Sequence, residues 1–184
     1  MPRLSDMSVR TLQPPNYRFT DAVQAVQIEK PMLEDFVIDF ERSKTPVYRS
    51  ATANDLLQLN DVVIGVEMLG INRMELTAVG LYHPALPTKE SVTLGPRTLA
   101  FRALNLSEAT SILAALIYRL ERRSDLLLSA VRQMPVPLLT GEQVGKFLDL
   151  IKTTHEMSVN ARKRSKLMKE LIPATIHKFV KDNE

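Results

Sequence analysis

The spacing of hydrophobic positions changes partway along the chain. Between residues 36 and 104, apolar and polar residues alternate, as in "FVIDFER", or form short apolar runs, as in "VVIGVEML". Both patterns are typical of β-strands. After residue 105 the spacing becomes helical. Strands followed by helices predict an α+β fold, with a small antiparallel sheet at about residues 36–104 packed against C-terminal helices at about 107–180.

Short turns predict how the strands pair. The link "GIN" joins "VVIGVEML" and "RMELTAVGLYH" into a hairpin. In the same way, "SKT" turns "FVIDFER" back onto "PVYRS", and Gly95 with Pro96 turns "SVTL" onto "RTLAFRAL". One helix is predicted within "TANDLLQL", where Thr52 and Asp55 have the spacing of a capping box.

The first 31 residues contain Pro2, Pro14, Pro15 and Pro31. Since proline lacks a backbone donor, it does not continue a helix or join a central strand. Residues 1–31 are therefore predicted to be an extended arm of the kind that becomes ordered on another subunit. Residues 32–184 are predicted to form one domain, β-rich at 36–104 and helical at 105–182.

Helix-period apolar residues after Asn105 form a seam that could contact another protein. Its members step by four and three alternately, with Ser124 between the two halves: Leu113, Ile117, Leu120, Leu127, Val131 and Met134. Pro135 and Pro137 should end that helix. The next helix is predicted to start at Thr140, with Gln143 completing a capping box, and to kink or end at Pro173.

A cluster of positive charge lies in "NARKRSKLMKELIP". It comprises Arg162, Lys163, Arg164, Lys166 and Lys169. Helical geometry places Leu167, Met168, Leu171 and Ile172 on the opposite face, which predicts that this apolar face is buried. The basic side is a candidate contact for nucleic acid or an acidic partner, and the alternative is a solvated helix face.

Charge distribution agrees with a basic C-terminal half. The net charge is +3. Residues 101–184 carry fourteen basic and nine acidic residues, whereas residues 21–100 carry seven basic and eleven acidic. This asymmetry suits association with copies of the chain or with an anionic partner.

No catalytic motif is recognisable. The chain has no cysteine and three histidines. "HEMSV" has Val159 where a zinc helix needs a second histidine, so His155 is predicted to be solvated or half-buried. The acidic residues Glu34, Asp35, Asp39 and Glu41 are predicted to be solvated strand charges. The sequence therefore predicts no enzyme, no cofactor, no metal site and no small-molecule substrate.

The segment "QPPNY" resembles the PPxY ligands of WW domains, as in the late-budding motifs of some viral matrix proteins. Pro14 and Pro15 favour a polyproline II segment, and Tyr17 could fill an aromatic groove. The alternative is that the arm docks within its own assembly.

Taken together, these features predict a non-enzymatic assembly protein in a multi-subunit complex of the viral or phage kind, as a homo-oligomer or a hetero-assembly. The alternative is a nucleic-acid-binding accessory protein that uses the basic helix. No apolar run approaches the roughly 20 residues of a membrane span, and the N-terminus has no secretory apolar core. The predicted location is the cytoplasm or a virion, without secretion.

Overall fold

The computed structural model describes residues 1–7, 10–12, 23–43, 47–70, 73–84, 86, 91–123 and 126–181, with backbone only for 10–12, 31 and 172–181. Within them lie nine strands and three α-helices. The strands are β1 (Arg10–Leu12), β2 (Val23–Ile28), β3 (Leu33–Glu34), β4 (Val37–Ile38), β5 (Tyr48–Ala51), β6 (Asp61–Gly70), β7 (Arg73–Tyr82), β8 (Val92–Leu94) and β9 (Thr98–Arg102). The helices are α1 (Leu106–Arg122), α2 (Leu128–Arg132) and α3 (Gly141–Lys181).

The larger sheet has six strands in the order β1-β9-β6-β7-β4-β3. Its centre is the antiparallel pair β6–β7, in which Ile64 lies opposite Val79. This confirms the predicted hairpin between "VVIGVEML" and "RMELTAVGLYH". Two short hydrophobic repeats with a tight link make that pairing a local event, which a sequence pattern can indicate.

The smaller sheet has three strands in the order β5-β2-β8, and β2 runs parallel to β8. The other two predicted hairpins are therefore wrong. β8 pairs with β2, whereas β9 pairs with β6 and β1. At Gly95 between them, an added Cβ would lie 2.3 Å from the Ile28 carbonyl oxygen, so only glycine fits where the chain crosses between the sheets.

"FVIDFER" is not one strand either. Asp35 and Phe36 have positive φ angles of 51° and 65° and turn the chain between β3 and β4. Phe40–Arg42 then forms a short 3-10 turn. "PVYRS" supplies β5, which pairs with β2. The predicted helix in "TANDLLQL" shrinks to a 3-10 turn at Ala53–Asp55, although Thr52 and Asp55 do form the expected capping box.

The six-stranded sheet separates two apolar cores. Val62 and Ile64 face one core, together with Leu113 and Leu116 of α1, and Val63 faces the other. This alternation follows from the period of two along a strand. Helices, large sheet and small sheet form three layers, and the predicted α+β class is confirmed.

The predicted N-terminal arm is partly in the folded body. Leu4 is buried and its backbone N–H donates to the Met134 carbonyl oxygen at 2.9 Å. Further along, β2 is the central strand of the small sheet, with Ala25 and Ile28 fully buried. The structure thus differs from the predicted arm at residues 1–31, because Leu4, β1 and β2 belong to the folded body. Pro14, Pro15 and Tyr17 lie outside the described residues.

The predicted interaction seam is interrupted. α1 ends at Arg122, Arg123 takes a left-handed conformation with φ 49°, and α2 starts only at Leu128. Leu113, Val131 and Met134 are buried in the helix-side core, and Ile117 and Leu120 pack against it. Leu127 bridges to Glu75 of β7. Because five of the six residues belong to or pack against the chain's own core, the six do not form one open seam on a single helix, and this prediction is corrected.

α3 is a single helix of 41 residues. It begins with the predicted capping box, since the Thr140 N–H donates to Gln143 Oε1 at 2.9 Å and the Gln143 N–H to Thr140 Oγ1 at 3.4 Å. The helix does not end at Pro173, one of the two predicted outcomes, because it continues to Lys181. Proline removes one hydrogen bond to the fourth residue before it. That residue is Lys169, which is exposed, so water can reach the freed carbonyl.

Candidate nucleic-acid interface

The first half of α3 is held against the body by one face. Val144, Ile151 and His155 are buried and follow each other at helical spacing. His155 is therefore neither solvated nor half-buried as predicted. Its Nδ1 atom has no hydrogen-bond partner among the described residues. The buried residues therefore determine which side of the helix packs against the core.

An ion-pair cluster then ties the middle of α3 to the β3–β4 region. Arg162 Nη1 lies 2.8 Å from Glu34 Oε2, and Arg162 Nη2 lies 2.6 Å from Asp39 Oδ2. Arg42 also pairs with Glu34 and lies 3.9 Å from Asp39. We call these four residues the Arg162 latch. The Asp39 side chain is only 4% exposed, so it is not a solvated strand charge as predicted.

Charges within the latch compensate each other. Two guanidinium groups meet two carboxylates, so the cluster carries no net formal charge. Burial, and secondly the positive charge of Arg162, lower the pKa of Arg42 from its ordinary value. An arginine nevertheless stays protonated in proteins. Arg162 is thus engaged inside the molecule, which separates it from the other four residues of the predicted basic cluster.

Those four residues are open to solvent. Lys163, Arg164, Lys166 and Lys169 are all exposed, as is every residue from 163 to 171. No acidic residue lies between positions 162 and 170. We call these four residues the basic segment. Beyond the latch, α3 presents positive charge to solvent, which is a suitable arrangement for contacts to phosphate groups.

The apolar face predicted opposite these charges is not buried as far as its side chains are described, and the Ile172 side chain lies outside that description. Leu167, Met168 and Leu171 are each more than half exposed. Leu150 and Met157, earlier on the same helix, are 63% and 68% exposed. Leu150 and Met157 were not among the residues predicted to form a surface, because the helical periodicity of this segment was assigned only to the stripe that packs on the body. Their seven-residue spacing is the signal that could have found them.

Two further clefts lie on the described surface outside the basic segment. The cleft between the edge of the large sheet and the end of α1, about 800 Å³, is lined by Glu34, Asp35, Glu67, Glu75 and Glu121. A notch of about 450 Å³ has Arg73 and Arg132 at its walls. Neither cleft is lined by a histidine. Among the described residues, no three histidine, aspartate or glutamate side chains are arranged so that they could hold a metal ion. Among the helices that the structure describes, none is long and apolar enough to cross a membrane.

The fold has counterparts among solved structures. The chain is similar to the HsdS subunit from Thermoanaerobacter tengcongensis, with a TM-score of 0.52 and 17% sequence identity, covering 89% of this chain and 38% of that one. A second similar structure concerns complex assembly and conformational transition of the type I R-M system. Its TM-score is 0.53 and its identity 17%, covering 91% of this chain and 40% of that one.

These likenesses concern the fold. The chain spans about two fifths of the length of either neighbour. No protein-family model and no curated protein matches the sequence. The viral or phage setting predicted from the sequence receives no support from the two neighbours.

Proposed function

We propose that this protein is a non-enzymatic DNA-binding subunit of a multi-subunit complex, and that the basic segment of α3 contacts the phosphate backbone. The observation that carries the proposal is the exposed basic segment on a fold similar to an HsdS subunit. Of the two functions that the sequence indicated, the nucleic-acid one therefore has the better support.

Charge and geometry support phosphate contact over other uses of this helix. Lys and Arg side chains bind phosphate without reading sequence. Between positions 148 and 178 the chain has no Phe, Tyr or Trp on which a base could stack, and the imidazole of His155 is buried. This favours a duplex, whose outer surface is phosphate, over an unpaired strand.

The two structural neighbours support DNA as the nucleic acid that is bound. One is named as a subunit of HsdS type, and the other structure concerns the type I R-M system. A restriction–modification system acts on DNA. The same wording, which refers to complex assembly, supports a role beside other subunits rather than alone.

Binding of duplex DNA at several salt concentrations tests the proposal. The test variant replaces Lys163, Arg164, Lys166 and Lys169 by glutamine. Each phosphate contact adds about −0.9 to the slope of log affinity against log salt, so losing four contacts should flatten that slope by roughly 3 to 4. Fluorescence anisotropy with a labelled duplex measures both affinity and slope.

A matched control removes the same amount of charge elsewhere. Arg73, Arg132, Lys146 and Lys152 are also exposed, and their replacement by glutamine should leave the slope nearly unchanged. If the control variant lost binding and the α3 variant kept it, the interface would be misplaced. If the unaltered protein bound no duplex at low salt, the proposed function would be wrong.

A further inference from the structure

The exposed apolar residues of α3 form a stripe distinct from both the buried face and the basic segment. Leu150, Met157, Met168 and Leu171 are 63%, 68%, 55% and 56% exposed. Together with Thr154, Ala161 and Arg164, these four residues form a series from position 150 to 171 in which the intervals alternate between four and three residues. This is the spacing of a coiled-coil seam. We call these seven residues the outer stripe.

A helix with such a stripe needs a partner. Helices gain most of their stability from packing an apolar face, not from intrinsic propensity. Beyond the latch every residue up to 171 is exposed, so the chain's own body does not supply that packing. The stripe also runs past the latch without interruption, along roughly 30 Å of helix. A long seam with this spacing and mostly apolar side chains fits another helix better than it fits a loop or a sheet edge.

We propose that the outer stripe binds the outer stripe of a second copy of this chain, with the two α3 helices antiparallel. The partner is the same chain because the stripe is complementary to itself when reversed. Where Met168 lies opposite Leu150 of the second copy, Met157 lies opposite the second copy's Ala161. A large side chain then meets a small one at the centre, as interdigitating layers require.

Charge sets the antiparallel direction. In a parallel pair, residues 162–169 of both copies would lie side by side, bringing together the eight positive charges that lie outside the latch. In the antiparallel pair the same residues lie beside 149–156 of the other copy, where Asp149 and Glu156 outnumber Lys152. Like charges in contact are destabilising and opposite charges are favourable. Arg164 falls opposite Thr154, a small polar residue that leaves its guanidinium access to water.

This surface goes beyond the proposed DNA contact and shares only Arg164 with the basic segment. Lys163, Lys166 and Lys169 are not members of the outer stripe, so they stay exposed in the pair. The failure of one proposal would leave the other standing, because dimer formation is measured without DNA.

Sedimentation velocity of the full chain over a wide concentration range tests the pairing. We expect a concentration-dependent dimer, and we expect Met157→Glu to weaken it by at least about tenfold, since a charge would be placed in the seam. Lys152→Gln changes the net charge by the same amount on the far side of the helix and should leave the dimer intact. A protein that stays monomeric, or a Met157→Glu variant that dimerises as well as the parent, would overturn the proposal. Circular dichroism verifies that each variant is folded.

Cysteine cross-linking tests the direction, because the chain has no cysteine of its own. Mixing a Leu150→Cys chain with a Met168→Cys chain should give a disulfide-linked heterodimer under mild oxidation. Met168→Cys alone should give little. Efficient linkage of Met168→Cys with itself, and none in the mixture, would show a parallel pair and contradict the proposed arrangement.

Discussion

The most deeply buried charge of the described structure is Asp61, at the start of β6. Its carboxylate accepts from Arg102 Nε and Nη2, both at 3.1 Å, and from the Gln58 N–H at 2.8 Å. Arg102 also donates to the Leu56 carbonyl oxygen at 2.9 Å. The pair therefore joins β6, β9 and the segment before β6 at one end of the large sheet.

Removing Arg102 should be costly. Arg102→Ala would leave Asp61 buried without its countercharge, and breaking a buried pair in this way costs about 3 to 5 kcal/mol. We expect that loss in the free energy of unfolding, measured by urea denaturation. Lys152→Ala, at an exposed position, should change it by less than about 0.5 kcal/mol. A small effect of Arg102→Ala would mean that water reaches Asp61.

Asp61 also predicts a pH dependence. Burial raises the pKa of Asp61 from its ordinary value, and the hydrogen bond and charge of Arg102 oppose that rise only in part. A raised pKa means that the folded state holds the proton more tightly than the unfolded state. The stability contributed by this proton is thus present at low pH and lost as pH rises through the folded pKa.

The comparison is between the parent protein and Asp61→Asn, which cannot titrate. As pH falls from 7 toward about 4, the ordinary value for aspartate, the parent should gain stability relative to the variant. Urea unfolding at several pH values gives the difference, and the other carboxylates cancel because both proteins share them. A difference that stays constant with pH would show that the Asp61 pKa is not raised.

Neither buried ion pair could be found from the sequence. Asp61 and Arg102 are 41 positions apart, and Asp39 and Arg162 are 123 apart. A local pattern shows that a residue is charged but not what it meets after folding. Asp39 illustrates this, since alternation along "FVIDFER" placed it on a solvated face and the turn at Asp35 and Phe36 buried it.

At the scale of elements, the contacts predicted correctly from the sequence are those between residues that are near each other in the chain. The β6–β7 hairpin and the capping box at Thr140 involve neighbours in the chain, and both were predicted correctly. The pairing of β8 with β2 joins distant segments, and the short link at Gly95 indicated a hairpin instead. The break between α1 and α2 depends on a left-handed Arg123, which its residue type does not reveal. The basic segment was predicted by composition, whereas the exposure of the outer stripe was not.

The Arg162 latch should contribute to the packing of α3 against the body, and a substitution of Arg162 tests this. Arg162→Met would remove the partner of nearly buried Asp39, while Arg42 remains 3.9 Å away and Arg162 itself is partly solvated. We therefore expect a modest loss of about 1 to 2 kcal/mol in the free energy of unfolding. Hydrogen–deuterium exchange should become faster in α3 and in residues 33–42, and remain unchanged in β6 and β7. Equal exchange in parent and variant would show that the latch does not hold the helix.

At the scale of the whole molecule, the two proposed surfaces should act together on DNA. Two paired copies would present two basic segments on one particle, and joining two binding sites raises affinity for a ligand that reaches both by about 10² to 10⁴. Met157→Glu should therefore bind a long duplex at least tenfold more weakly than the parent, and a short duplex about equally. Equal affinities of parent and variant for the long duplex would show that the two segments do not engage one molecule of DNA.

The position of the Arg162 latch along α3 has a mechanical consequence. The latch lies 19 residues before the helix ends at Lys181, so roughly 28 Å of helix extends beyond this tether. A rotation of about 10° at that tether would move the far end by roughly 5 Å, more than the length of a hydrogen bond. A shift of about an ångström in the positions of Glu34 and Asp39 at the latch would therefore produce a larger displacement at the C-terminal end of α3. A change in the geometry of the β3–β4 turn would therefore reposition any partner bound to the last turns of α3.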